Sequence, residues 1–127
     1  MTLSNKQGAL TRAMNALSKI IDEAEERLQV WDQMDNDSIS VYRSDIEKVY
    51  KLLEMKRDTV ESTLEKFAIE VDKIPDSEEA EAEEADKHIK SANNMIDRFH
   101  EVGDELKNQI HRSKPQPARR YLRELPT

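Results

Sequence analysis

Residues 39–74 read ISVYRSDIEKVYKLLEMKRDTVESTLEKFAIEVDKI. An apolar side chain stands at every seventh position of this stretch: Ile39, Ile46, Leu53, Val60, Phe67 and Ile74. Positions seven apart lie on the same face of an α-helix, because two turns take about 7.2 residues. The series therefore predicts a long helix over about residues 38–73, which Pro75 ends because proline is excluded from helix interiors.

The sequence on either side continues the pattern as two further helices, predicted at about residues 4–32 and 76–112. Apolar residues in both follow spacings of three and four, which is the pattern of a helix with one buried face. The first series is Leu3, Leu10, Met14, Leu17, Ile21, Ala24, Leu28 and Trp31. The second is Ala82, Ala85, Ile89, Ala92, Ile96, Phe99, Gly103, Leu106 and Ile110.

Capping residues are expected at the start of each helix. Ser4 with Gln7 fits a capping box for the first helix, and Asp37 or Ser38 is expected to cap the second. Asp76 is expected to cap the third helix, with its partner three residues later. These signals divide residues 1–112 into three helical segments.

Composition narrows the fold class to all-α. A chain of 127 residues is about one domain long. It contains two glycines, whereas sandwiches, barrels and βα units need glycine at many turns. Hydrophobic residues make up 36% of the chain, which suits thin helices that each bury one stripe.

Three long helices joined by short turns predict an up-down-up antiparallel bundle with coiled-coil-like seams. The first helix is the shortest, so the tip of the hairpin between the second and third helices is expected to project. An alternative is a helical hairpin that dimerises, with the first helix packed against the other copy. The sequence does not separate these two arrangements.

Charge divides the chain into an acidic body and a basic tail. Residues 111–127 carry five basic side chains and one glutamate, so their net charge is +4. Because the net charge of the whole chain is −7, residues 1–110 have a net charge of −11. The prolines at 115 and 117 indicate that residues 113–127 are an extended linker to a downstream region. The absence of cysteine, of a signal sequence and of a long apolar run favours a cytoplasmic protein with no membrane segment.

The sequence contains no spacing typical of a catalytic or metal site. His88, His100 and His111 are 12 and 11 residues apart, whereas helical metal pairs need spacings of three or four. Residues 35–37 resemble the opening of a calcium loop, but Ile46 stands where a glutamate ligand is required. We therefore expect no enzyme activity, no cofactor and no small-molecule substrate.

Candidate interaction residues are apolar side chains outside the buried seams, the hairpin tip and the acidic run at 76–86. The acidic run is either a docking patch for a basic partner or a solvated helix start. These features predict self-association and protein partners. The candidate residues are Tyr50, Leu52, Met55, Val71, Ile74, Glu79 and Glu83.

The basic tail offers a second kind of contact. Its cations could bind phosphates, and its tyrosine could stack on a base. Weak nucleic-acid contact is expected through this segment alone, and a linker with incidental charge is the competing interpretation. The candidates are Arg119, Arg120, Tyr121 and Arg123.

The order of these features resembles the amino-terminal helical region of Gag-like polyproteins of BEL/Pao-type retrotransposons. Those regions are acidic, lack cysteine and lead through a proline-containing linker into the next Gag domain. The matching segments are LTRAMNAL at 10–17, VYKLLE at 49–54, the acidic run at 76–86 and RELPT at 123–127. The resemblance implies a structural module for self-association and particle assembly, or a host protein domesticated from one.

Two other functional classes remain open. A three-helix bundle similar in outline to a spectrin repeat could be a cytosolic adaptor that binds a partner helix. Spectrin repeats have their tryptophan in the middle of the first helix, whereas Trp31 stands at the end of it. A nucleic-acid chaperone that acts through the tail is the third class.

Overall fold

The computed structural model describes residues 2–114. Most of this range is helical and none of it is strand, which confirms the all-α class. Four helices pack together: α1 (Thr2–Asp32), α2 (Asn36–Ser40), α3 (Arg43–Val71) and α4 (Glu79–Ser113). None of the helices in this range combines the length and apolarity needed to cross a membrane.

Two helices, α2 and α3, replace the single helix predicted over 38–73. The break falls where Val41 donates its N–H to Ser38 O at 3.3 Å and Tyr42 donates to Ile39 O at 2.9 Å. These bonds span three residues, not four, so they tighten the chain into a turn before α3 begins. No glycine or proline marks this turn, which explains why the sequence pattern did not predict it.

The cap of α2 is Asp35, and the prediction of Asp37 or Ser38 was wrong. The Asp35 backbone is extended, and its Oδ1 accepts a hydrogen bond from Ser38 N at 2.7 Å. This bond from the backbone N–H favours the ionised carboxylate and lowers the pKa of Asp35 from its ordinary value. The first turn of α2 therefore begins one residue after the cap, at Asn36.

The other two helix starts also differ from the predicted positions. Helix α1 begins two residues before the predicted cap at Ser4. Helix α4 begins three residues after Asp76, because Glu78 N donates to Pro75 O at 2.9 Å and closes a turn there. Glu78 is the N-cap of α4 and makes no side-chain capping bond.

The four helices share one hydrophobic core. Its centre is the predicted seven-residue series, because Ile39, Ile46, Leu53, Val60 and Phe67 are fully buried. The series continues across the turn between α2 and α3. The other buried apolar residues are Leu10, Ala13, Leu17, Ile21, Ala24, Leu28, Trp31, Ala85, Ala92, Phe99, Val102 and Leu106.

Helices α1 and α4 lie side by side within one chain. Residues early in α1 contact residues early in α4, and later residues contact later ones. Near their starts, Leu3 and Ala85 line a shared cleft of about 140 Å³. Further along, the Arg98 guanidinium lies 2.6 Å from the Glu25 carboxylate, and this hydrogen bond raises the pKa of Arg98. Residue numbers therefore rise together along the two helices.

Helices α3 and α4 make contacts in the opposite residue order. Phe67 packs edge-on against His88, with ring centroids 6.2 Å apart. At the other end of α3, the Tyr50 ring lies 5.7 Å from Lys107 Nζ. Residue numbers thus fall along α3 as they rise along α4.

Gly103 lies in α4 against α3, and we expect Gly103→Ala to stabilise the protein. A Cβ at this position would lie 3.7 Å from Tyr50 Cε2 and 3.9 Å from Phe99 Cζ, which is ordinary contact. The methyl group therefore fits, and alanine is favoured over glycine in a helix by about 0.5–1 kcal/mol. Urea denaturation followed by circular dichroism measures the gain.

Gly103→Leu is the matched comparison, because its longer side chain would press on Tyr50 and lose the gain. A lower unfolding free energy for Gly103→Ala would mean that α3 and α4 approach more closely than these distances allow.

Candidate interaction surface

A groove runs between α1 and α3 on the outside of the helices. It encloses about 260 Å³. The α1 side and the α3 side each contribute apolar and charged side chains, and the groove is lined by Ile20, Glu23, Arg27, Asp45, Lys48, Val49 and Leu52. Because its walls come from two helices and its mouth faces outward, the groove can receive the side chains of another protein surface.

Two of the predicted interaction residues lie at or beside this groove. Leu52 lines it and is 38% exposed, and Met55, one turn further along α3, is 65% exposed. Both are large apolar side chains that the core does not cover. Single exposed apolar residues are common on protein surfaces, but two on adjacent turns beside a groove form a patch.

Tyr50 faces α4 and not the groove. Its ring is half-buried and lies beside Gly103 and under the Lys107 ammonium. Tyr50 therefore contributes to the packing of α3 on α4, and its surface is only partly open to a partner.

The predicted residues of the hairpin tip, Val71 and Ile74, are half-buried and pack against the hydrophobic core. Val71 is the last residue of α3 and lies about 28 Å along the helix from Leu52 at 1.5 Å per residue, and Ile74 lies in the turn after α3. The structure therefore does not bring the tip together with Leu52 and Met55.

The acidic run at the start of α4 is solvent-exposed, and Glu79 and Glu83 both point to solvent. A side-chain hydrogen bond with Glu78 raises the pKa of Glu81. The cause is that a carboxyl group must keep its proton to share a hydrogen bond with another carboxylate. Like charges thus crowd this helix start, which lies at the opposite end of α4 from Lys107.

A polar cluster at the other end of α4 holds the connection between α1 and α2. The Arg112 guanidinium donates to Trp31 O at 3.3 Å, to Gln109 Oε1 at 2.6 Å and to Met34 O. Gln109 in turn donates to the Asp32 carboxylate. These bonds satisfy carbonyls at the end of α1, so we assign the cluster to stability.

The three histidines are spread along α4. His88 is half-buried beside Phe67, His100 is exposed and contacts Phe99, and His111 is exposed. Within residues 2–114, no group of three His, Cys, Asp or Glu side chains could hold a metal ion. In the same range, every buried side-chain nitrogen or oxygen has a hydrogen-bond partner.

The α1 wall of the groove was not predicted from the sequence. Ile20, Glu23 and Arg27 join it because they lie on the side of α1 that faces α3. Ile20 precedes the buried Ile21, and these two consecutive isoleucines are a signal that α1 has apolar surface outside its seam at this point. The predicted nucleic-acid residues Arg119, Arg120, Tyr121 and Arg123 lie outside the described residues.

Comparison of the chain with protein families, with curated proteins and with solved structures gives no match.

Proposed function

We propose that this chain is a non-catalytic helical interaction module that associates with copies of itself. The observation that carries the proposal is the apolar patch of Leu52 and Met55 beside the groove between α1 and α3. Association would cover this patch and remove its apolar area from water, which is the main driving force of protein assembly.

We infer that the three long helices form an up-down-up bundle and that α2 is a short helical turn within it. The support is the order of the contacts. The residue numbers of contacting residues increase together along α1 and α4, whereas they decrease along α3 as they increase along α4. In this arrangement the groove lies between two antiparallel helices, and α4 packs on the other side of both.

The wider setting that we propose is a structural protein similar to a Gag polyprotein, or a domesticated relative, in the cytoplasm. Residues 1–112 would be its assembly module and residues 113–127 the linker to the next domain. The support for this setting is the sequence resemblance, namely the acidic helical region followed by RELPT.

A cytosolic adaptor that binds a partner helix is the second candidate. The groove favours it, since amphipathic helices bind proteins by placing apolar side chains in such grooves. The two candidates differ in whether the purified chain associates without any partner.

Sedimentation equilibrium over a wide concentration range tests the proposal. We expect the apparent mass to rise from that of the 14.8 kDa monomer as the concentration reaches hundreds of micromolar. Association should weaken in Met55→Ser, because this exposed side chain contributes apolar area to the patch. A strict monomer throughout the range would end the assembly proposal and favour the adaptor.

A further inference from the structure

We propose that two copies of this chain bind face to face through the groove between α1 and α3, with each copy using the same surface. The inference rests on the proposed self-association and names the surface that carries it. It assigns no direct role in association to the hairpin tip.

The apolar floor of the groove is the first support. Ile20, Val49 and Leu52 line it, and Leu52 is the most exposed of the three. Among the described residues, the large exposed hydrophobic side chains occur on α1, on α3 and in the turn between α2 and α3, and none lies on α4. The apolar surface available to another molecule is thus concentrated away from α4.

Charge is the second support, because the rim of the groove is balanced. Glu23 and Arg27 come from α1, and Asp45 and Lys48 come from α3, so each helix provides one acid and one base. All four side chains are exposed. Within residues 2–114, none of the four forms a side-chain ion pair or hydrogen bond.

The position of these charges suits a two-fold axis. Residue numbers rise along α1 as they fall along α3, and taking the residues that line the groove in these opposite orders pairs Glu23 with Lys48 and Arg27 with Asp45. A two-fold axis parallel to the groove brings Glu23 opposite the partner's Lys48. An axis across the groove brings Glu23 opposite the partner's Arg27 and Lys48 opposite the partner's Asp45.

Both orientations place every acid of one copy against a base of the other. A symmetric dimer uses the same patch on both copies, so its patch must be complementary to itself. The groove meets this condition. A strongly acidic or basic partner would gain little from a rim with no net charge.

Two charge-reversal variants test the proposal. The acidic variant is Arg27→Glu with Lys48→Glu, and the basic variant is Glu23→Lys with Asp45→Lys. All four positions are exposed, and circular dichroism checks that both variants keep the wild-type helix content. Each variant alone should self-associate at least about tenfold more weakly than the wild type, because like charges then face one another.

An equimolar mixture of the two variants should restore association, since every acidic rim then meets a basic one. Sedimentation equilibrium measures all three samples at the same concentrations. The mixture should also become more sensitive to salt than the wild type, because its two rims carry net charges of opposite sign, whereas each wild-type rim has no net charge.

Matched controls separate the groove from other surfaces. Lys87→Glu with Lys90→Glu makes the same change of net charge as the acidic variant, but on α4, and should leave association unchanged. Leu52→Ser should weaken association, whereas Ile69→Ser, an exposed residue of α3 that does not line the groove, should not.

The results of this experiment separate a failure of the proposed groove interface from a failure of the proposed self-association. A wild type that stays monomeric ends the self-association proposal, and this inference with it. If the wild type associates while both charge variants associate equally well, the groove is not the interface and another surface carries the association. A mixture that stays as weakly associated as its components overturns the two-fold pairing.

Discussion

Phe67→Ala is expected to lower the unfolding free energy by about 3–5 kcal/mol, the usual cost of truncating a fully buried phenylalanine. The Phe67 side chain is 0% exposed, and its ring packs edge-on against His88 of α4. Removing the ring takes away its burial and leaves a cavity between α3 and α4. Urea denaturation followed by circular dichroism measures the loss.

Such a loss is a large share of the total, since domains of this size have unfolding free energies of about 5–15 kcal/mol. Phe67→Leu keeps most of the apolar volume and should cost less than about 1.5 kcal/mol.

Ile69→Ala is the matched control on the same helix. Ile69 is 53% exposed, so its truncation should change the unfolding free energy by no more than about 0.5 kcal/mol. If Phe67→Ala proved as mild as Ile69→Ala, this end of α3 would not be packed against α4 in solution.

The burial of Phe67 illustrates what the sequence can predict. A seven-residue repeat identifies the buried face of a helix from the sequence alone, and Ile46, Leu53 and Val60 are buried as the repeat predicts. Ile39 is also buried, although it lies on α2, beyond the turn. The repeat thus locates the core even where it misses a break in the helix.

The start of α2 shows where the prediction fails. Asp35, Asp37 and Ser38 can all cap a helix, and their spacing does not indicate which one the backbone uses. The choice depends on the path of the chain, which Arg112 of α4 helps to fix by donating to Asn36 Oδ1 at 3.2 Å. A contact between residues 76 apart in sequence is not visible in a local pattern.

The groove could be predicted only in part for a related reason. Leu52 and Met55 lie outside the repeat, so the sequence identifies them as uncovered side chains. Their neighbours across the groove depend on the register between α1 and α3. Two seams with the same spacing can slide past one another by a heptad and still bury apolar residues, so the sequence does not pair Leu52 with Ile20.

Arg112→Met is expected to lower the unfolding free energy by about 1.5–3 kcal/mol, the range for hydrogen bonds made by a charged group. The variant keeps much of the side-chain volume but removes every donor. Trp31 O, Met34 O and Gln109 Oε1 then lose their partner. Gln109 is buried, so water does not readily replace the lost bond.

The native-state fluorescence of Trp31 provides a readout that a change in overall stability does not move. Trp31 is the single tryptophan of the chain and is 4% exposed, at the end of α1 that Arg112 holds. Its emission should shift to longer wavelength in folded Arg112→Met, because the loosened end admits water.

The emission wavelength of Arg112→Lys should lie between those of the wild type and Arg112→Met, since one ammonium group cannot reach all the acceptors at once. Phe67→Ala, which lies at the far end of α3, should lower stability without this shift. An unshifted emission in Arg112→Met would mean that the α1–α2 connection is held by the burial of Trp31 alone and that the polar cluster contributes little to it.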